Sequence, residues 1–312
     1  MKQRKLGRGP QTVSTLGLGL MGMSDFYGPS DREESLATVG MALDAGVTWF
    51  DTGDFYGSGH NELLLREALR GRKREDLFIA VKFGGLRAPD RSFIGVDLRP
   101  ASVKNFLAMT LQRLGTDYVD LYQPARLDPS VPIEETVGAM GELVEGGYVR
   151  HLGLSEMGAN TIRRAHHTHP IESLQIEYSL ISRGIEETLL PVTRELGITI
   201  SAYGVLSRGL LSGHWTPARS EGASREFRGH LPRFQGENLE KNLGLVEKLR
   251  TIAEGKGITV AQLAIAWVAA QGEDIVPLIG ARTRERLEES LGAADVVLSD
   301  AELAAIEAAV PK

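Results

Sequence analysis

The stretch Val47-Thr48-Trp49-Phe50-Asp51-Thr52-Gly53-Asp54-Phe55-Tyr56-Gly57 changes character half way along. Its first residues are β-branched and aromatic, the composition of a strand buried on both faces. From Asp51 onward it turns polar and glycine-rich, as a loop leaving a strand's C-terminal end does. This reading places a strand over 47–51, Asp51 at the junction and Tyr56 in the loop. In parallel α/β folds chemistry gathers at the C-terminal ends of strands. An acid and a phenol placed there mark one wall of a candidate site.

The same alternation repeats on both sides. Upstream, residues 2–15 read as a small hairpin around Gly7-Arg8-Gly9-Pro10, and 16–21 as a short buried strand. Residues 31–44 read as a helix, with Asp31 as N-cap and Glu34 in the capping-box position. Downstream come a helix from the N-cap Asn61 to about Leu69, a strand over 77–82, and a helix opened by Pro100 and stopped by Gly115. A strand over 118–122 and a helix begun by Pro132 follow. Further strands are expected over 148–154, 173–176, 198–203 and 275–279. Helices are expected over 159–167, 185–196, 239–254, 259–270, 283–292 and 300–309. Only the loop 204–237 is long, and long loops in compact domains are usually functional. Eight strands separated by helices within 312 residues predict a closed α/β barrel of the (β/α)8 (TIM) type rather than an open sheet. The N-terminal β-hairpin and extra C-terminal helices are additions to it. No composition break or linker interrupts the pattern, so residues 1–312 read as a single barrel domain.

Hydrophobic residues make up 42% and charged residues 24% of the chain, as in a soluble globular protein with a real core. A formal charge of −6 advertises no basic face, and no nucleic-acid partner is expected. The absence of cysteine excludes disulfides, thiolate metal sites and cysteine nucleophiles, and fits a reducing cytoplasm. The basic start Met1-Lys2-Gln3-Arg4-Lys5 leads into no apolar signal segment, and no run approaches the roughly 18 apolar residues of a membrane span. The expectation is a cytoplasmic protein with no membrane partner and no metal. The sequence carries no signal for an oligomeric state.

Lys82 closes the otherwise apolar strand Phe78-Ile79-Ala80-Val81, where an ammonium is costly unless paired or used. Asp51, Tyr56 and Lys82 thus fall on neighbouring strands at one rim. A phenol with an ordinary pKa of about 10 is a poor acid near neutrality. A nearby ammonium is expected to lower that value, and a carboxylate to keep the lysine charged and oriented. Such a set is a proton donor and acceptor for a carbonyl/alcohol pair. At the other end of the chain Gly280 frees backbone beside a helix starting near Thr283, and helix N-termini bind phosphate. Arg282 and Arg286, on adjacent turns, can fork a phosphate monoester.

The segment Gly46 to Gly57 resembles the first signature of the aldo-keto reductases, NADPH-using (β/α)8 carbonyl reductases. The resemblance extends along nearly the whole chain. It implies NADP(H) as cofactor, a small-molecule carbonyl substrate, and Tyr56, Lys82 and Asp51 as the catalytic set. Gly19-Leu20-Met21-Gly22-Met23-Ser24 is similar to the first barrel loop, which would place Gly22, Met23 and Asp51 beside the nicotinamide. Ser155 (in Gly153-Leu154-Ser155) and Gln175 resemble the pair that hydrogen-bonds the carboxamide. Tyr203 resembles the aromatic on which the ring stacks. Gly204, Leu206, Ser207, Arg208 and Gly209 resemble the pyrophosphate-side loop. The run from Pro277 to Glu289 resembles the adenosine-end motif, which implies Gly280 at the phosphate, Arg282 and Arg286 at the 2′-phosphate and Glu289 at the adenine.

One departure stands out. The family usually carries a histidine just after the fourth barrel strand, where it orients and polarises the substrate carbonyl. In Asp120-Leu121-Tyr122-Gln123-Pro124-Ala125-Arg126 the aligned residue is Ala125. A branch resembling pyridoxal-reductase-like members also carries Ala-Arg there. The resemblance implies an NADPH-dependent reductase of an aldehyde or ketone. The missing histidine keeps open an NADPH-binding sensor or accessory subunit with weak or no turnover. A Schiff-base lyase through Lys82 is disfavoured by the adenosine-end motif.

Other signals read as structural. Gly17-x-Gly19-x-x-Gly22 matches the dinucleotide fingerprint by letter, but no helix is expected immediately after it. His166-His167-x-His169 reads as a solvated helix end, and His60 as a loop or cap residue. Gly153-x-Ser155 lacks the last glycine of a nucleophile elbow. Trp215, Phe227 and Phe234 read equally as a lid or as anchors of the long loop.

Overall fold

The computed structural model describes residues 1–216, 219 and 227–312. Strands β1 (Gln3–Lys5) and β2 (Thr12–Ser14) form the antiparallel N-terminal hairpin. Then come β3 (Gly17–Gly19), β4 (Trp49–Gly53), β5 (Phe78–Phe83), β6 (Gly85–Arg87), β7 (Phe93–Val96) and β8 (Val119–Pro124). The remaining strands are β9 (Val149–Ser155), β10 (Ser173–Glu177), β11 (Thr199–Tyr203) and β12 (Ile275–Gly280). Eight of them, β3, β4, β5, β8, β9, β10, β11 and β12, close into a parallel barrel, β12 pairing back onto β3. The expected (β/α)8 architecture is therefore present. The helices that bear on the site are α1 (Arg32–Asp44), α2 (His60–Ala68) and, near the C-terminus, the helix Arg284–Leu291. Among the described residues no helix is long and apolar enough to cross a membrane.

The period of two along each strand sorts the barrel interior into layers. Trp49, Phe78, Ala80, Leu121, Val276 and Leu278 form one apolar cluster with Leu6 and Val13 of the hairpin. Trp49 and Phe78 meet at 4.8 Å between ring centroids. The hairpin thus closes the end of the barrel remote from the strands' C-termini. Two residues further along the same strands the interior positions become polar: Asp51, Lys82 and Gln123, all buried. Gly17 is required where β3 joins this wall. A Cβ there would lie 2.5 Å from Leu278 and 3.2 Å from Trp49.

Several local expectations are corrected. Strand β4 runs from Trp49 to Gly53, so Asp51 lies inside the barrel wall and not at a strand–loop junction. Asn61 is not a cap, because α2 already begins at His60 after the left-handed Gly59 (φ 94°). Asn61 is buried instead. Its Oδ1 accepts from Thr52 Oγ1 (2.6 Å), and its amide nitrogen donates to the Leu20 carbonyl (2.9 Å) and to Ser24 Oγ (2.7 Å). It ties β4 to the loop after β3. Asp31 caps α1 by accepting from the Glu34 amide at 2.7 Å. The Glu34 carboxylate does not complete the box. It accepts instead from the Arg284 amide and guanidinium, both at 2.8 Å. The helix expected over 185–196 is broken at Leu189, ahead of Pro191, which lacks an amide to continue it. The hairpin of β6 and β7 was not anticipated.

Candidate active site

Lys82 and Asp51 meet directly inside the barrel, with side chains 5% and 7% exposed. The other Asp51 oxygen accepts from Gln175 Nε2 at 2.7 Å and, at the outer limit, from Gln123 Nε2 at 3.5 Å. One carboxylate on β4 is thus held by donors from β5, β8 and β10. Two charges out of water cost several kcal/mol each unless geometry and further hydrogen bonds repay them, and here both are supplied. Burial pushes the Lys82 pKa down, Asp51 pulls it back up, and the Arg126 charge adds to the depression.

Tyr56 stands above this pair. The turn Tyr56–Gly59 carries three successive left-handed residues, Gly57, Ser58 and Gly59, which fold the chain over the barrel mouth. Ser58 (φ 53°) is a serine held in a conformation that favours glycine. Lys82 Nζ lies 5.2 Å from the Tyr56 ring centroid. Phe55 and Phe26 meet the ring edge-on at 4.9 and 6.4 Å. The expected depression of the phenol is not found. Burial pushes the Tyr56 pKa well above its ordinary value, Asp51 and Tyr27 add to the rise, and Arg126 and Arg208 oppose it. The physical reason is burial, the largest of these causes, because a phenol taken out of water is disfavoured in its charged form.

Gln175 and Ser155 lie directly opposite each other in register. Gln175 is turned to Asp51, whereas the buried Ser155 Oγ has no protein partner. Tyr203 ends β11, and the Arg208 guanidinium lies 5.0 Å above its ring. Gly204, Ser207, Arg208 and Gly209 are all left-handed, and Leu206 packs against the core between them. Arg208 donates to Tyr27 Oη at 3.1 Å and pairs with Glu177 at 3.4 Å. Arg233 bonds both Glu177 and Ser207 Oγ at 2.6 Å. Tyr27, Glu177 and Arg233 were missed in the sequence. The arginine density of the long loop was the one signal that pointed to this side.

Met23 turns its side chain into the core. Gly22 lies against Arg282, where a Cβ would come within 3.3 Å of that side chain. Gly280 ends β12 exposed, and a Cβ there would meet nothing within 4 Å. Arg282 precedes the helix Arg284–Leu291, which Thr283 caps, and Arg286 and Glu289 lie on that helix. Each is engaged within the protein. Arg282 donates to the Tyr27 and Pro29 carbonyls (2.7 and 3.3 Å), and Arg286 pairs with Glu289 at 3.2 Å. Glu289 also takes His214 at 3.1 Å, a contact the sequence reading lacked.

The residues read as structural have structural partners. His60 bonds Ser24 Oγ at 2.8 Å, and His166 Nδ1 accepts from the Ile171 amide at 3.1 Å. Trp215 and Phe234 pack together with Leu210, rings 4.6 Å apart, and so anchor the long loop. The Phe227 side chain lies outside the described residues. Ala125 is buried beside β5, its amide donating to the Phe83 carbonyl at 2.9 Å.

A closed parallel barrel with a buried lysine–carboxylate pair under a tyrosine, all at the C-terminal mouth, has the layout of the (β/α)8 enzymes. Within that class the chain belongs to the aldo/keto reductase family, whose model matches residues 15–311. It is 43% identical over 310 residues to a probable aldo-keto reductase 1 of Glycine max, covering 98% of this chain and 88% of that one. The structure is similar to a glycerol dehydrogenase from Gluconobacter oxydans (TM-score 0.89, 26% identity, 98% and 94% of the two chains). It is also similar to an aldo-keto reductase from Bacillus halodurans in its holo form (TM-score 0.84, 28% identity, 99% and 96% covered).

Proposed function

We propose that this protein is an NADPH-dependent reductase of aldehydes or ketones to alcohols, a single-domain cytoplasmic enzyme with Tyr56 as proton donor. The observation that carries the reading is the Lys82–Asp51 pair buried directly beneath Tyr56. Two apolar side chains would fill that space at lower cost, so the pair argues for chemistry at the phenol. Burial keeps the Tyr56 phenol protonated and makes it a weaker acid than usual, so giving that proton to a carbonyl oxygen depends on nearby positive charge. The phenolate left behind would be stabilised by Lys82, 5.2 Å from its ring, and by the charges of Arg126 and Arg208. Asp51, braced by Gln175 and Gln123, positions Lys82 in this scheme.

NADP(H) fits the residues present. A buried Ser155 hydroxyl without a protein partner suits a carboxamide, and Tyr203 offers a ring to stack on. Arg208, with Gly204, Leu206, Ser207 and Gly209, would border the pyrophosphate. Gly280 leaves open space at a helix start, with Arg282 and Arg286 for the 2′-phosphate and Glu289 for the adenine. Gly22, Met23 and Asp51 would border the nicotinamide. When bound, the cofactor supplies the hydride to the carbonyl carbon. The test is NADPH oxidation followed at 340 nm with a panel of aldehydes that includes pyridoxal, repeated with NADH. We expect turnover with a clear preference for NADPH. Tight NADPH binding without turnover of any carbonyl would overturn the enzyme reading in favour of an accessory subunit.

A further inference from the structure

Among the described residues, the cations around the barrel mouth are almost all engaged. Arg87 pairs with Asp25 at 2.5 Å. Arg208 and Arg233 share Glu177, Arg286 holds Glu289, and Arg282 is spent on carbonyls. Arg126 differs from these in its exposure and in having a carbonyl of its own loop as its hydrogen-bond partner. It makes no ion pair among the described residues. One guanidinium nitrogen donates to the Ala125 carbonyl at 2.6 Å. The nearby Asp128 carboxylate is taken up by Ser130 and the Leu98 amide.

An exposed arginine is ordinarily just a solvated side chain. The position of this one is not ordinary. Gln123 is in register with Lys82, and Ala125 continues the β5–β8 ladder one step past the strand end. Arg126 therefore leaves the wall at the end of β8, beside the lysine's strand. Its charge is felt at both Tyr56 and Lys82. No carboxylate among the described residues pairs with Arg126, so it adds a positive charge to the rim on the β8 side. Phe26 and Phe55 meet the ring of Tyr56. Phe55 in turn lies close to Gly85 and Phe93 of the β6–β7 hairpin, for a Cβ at Gly85 would come within 2.8 Å of one ring and 3.2 Å of the other.

We propose that Arg126 is a substrate anion site at the mouth, and that the preferred substrates are carbonyl compounds carrying a carboxylate or phosphate on an apolar or aromatic body. This rests on the carbonyl-reductase reading above and adds the substrate class. A guanidinium has five N–H donors in a planar fork matched to carboxylate and phosphate. With one donor held by the Ala125 carbonyl, the fork is braced and the rest are available.

The test compares kcat/KM for 3- and 4-carboxybenzaldehyde with benzaldehyde, and for glyceraldehyde 3-phosphate with glyceraldehyde, in the wild type, R126Q and R126K. The readout is the ratio of anionic to neutral substrate, which cancels whatever Arg126 does to Tyr56 itself. We expect a wild-type ratio of at least tenfold for one of the two anion types, identifying carboxylate or phosphate, and expressed mainly in KM. R126Q should lose it, R126K should keep part of it, and added salt should shrink it in the wild type. A ratio near one in the wild type, or an unchanged ratio in R126Q, would overturn the proposal. The subsite is also read without turnover, by calorimetric titration of 4-carboxybenzyl alcohol against benzyl alcohol on wild type and R126Q with NADP+ present and absent. Arg126-dependent binding of the carboxylated alcohol alone, in a protein that reduces nothing, would support the anion site while the reductase reading fails. Equal binding of the two alcohols would overturn it.

Discussion

At the scale of single residues, Asp51 and Ala125 carry the most weight. Asp51 accepts from Lys82, Gln175 and Gln123, so one carboxylate sets the orientation of three side chains. Ala125 contributes only a methyl group where the family pattern implies an imidazole, and our hypothesis is that a water or a group of the substrate takes that space. Ala125→His should then alter kcat/KM for a simple aldehyde by about threefold or more and add an ionisation near the ordinary histidine value of about 6.5 to its pH profile. Unchanged kinetics and an unchanged profile would show that the space beside residue 125 has no bearing on the carbonyl.

At the scale of elements, the unit from β4 to α2 holds two more buried acids besides Asp51. Asp54 is 7% exposed, and Glu62 on α2 is fully buried against Arg113. Burial and the Glu62 charge push the Asp54 pKa up to about 8, while Arg113 and the amides of Gly84 and Phe55 pull the other way. Those amides face the carboxyl without closing a regular hydrogen bond to it. A carboxyl raised on folding gives stability that is full below its unfolded pKa of about 4 and is lost as pH rises through the folded value. Asp54→Asn should therefore raise Tm over the wild type by about 2 °C or more at pH 8.5, with a smaller gain at pH 5. Thermal scans at the two pH values check this, and an offset that does not grow with pH would contradict it.

Elements were also where the sequence was most and least legible. Strands with near-continuous apolar runs, such as Phe78–Phe83, and helices marked by Pro100 or Gly115 stood out, because burial on both faces and backbone stereochemistry leave local traces. The β6–β7 hairpin did not, since its pairing depends on a rim only the closed barrel provides. Asn61 has the chemistry of a cap, and only tertiary packing turned it inward. Among the site residues, Lys82 was visible as a charge closing an apolar strand, and Asp51 as an acid where a strand turns polar. The rise of the Tyr56 pKa was not, because it depends on how completely the closed barrel buries the phenol. Nor were Tyr27, Glu177 and Arg233, which meet only through folding of the long loop.

At the scale of the whole molecule, the barrel separates apolar filling from chemistry. The N-terminal hairpin and the layer around Trp49 and Phe78 close one end, and the polar layer two residues further on opens at the other. Asp51 and Gln175 are 124 positions apart in the chain and 2.7 Å apart in the fold. The account's central claim is that this mouth passes a hydride from NADPH to a carbonyl while Tyr56 supplies the proton. The most direct measurement is single-turnover reduction of an aldehyde with NADPH deuterated at both C4 positions, using wild type and Tyr56→Phe, with the alcohol read by mass spectrometry. The account predicts one deuterium on the carbinol carbon of the wild-type product and a rate at least about a hundredfold lower in the variant. An alcohol without the label, or a Tyr56→Phe enzyme that transfers it at the wild-type rate, would contradict it.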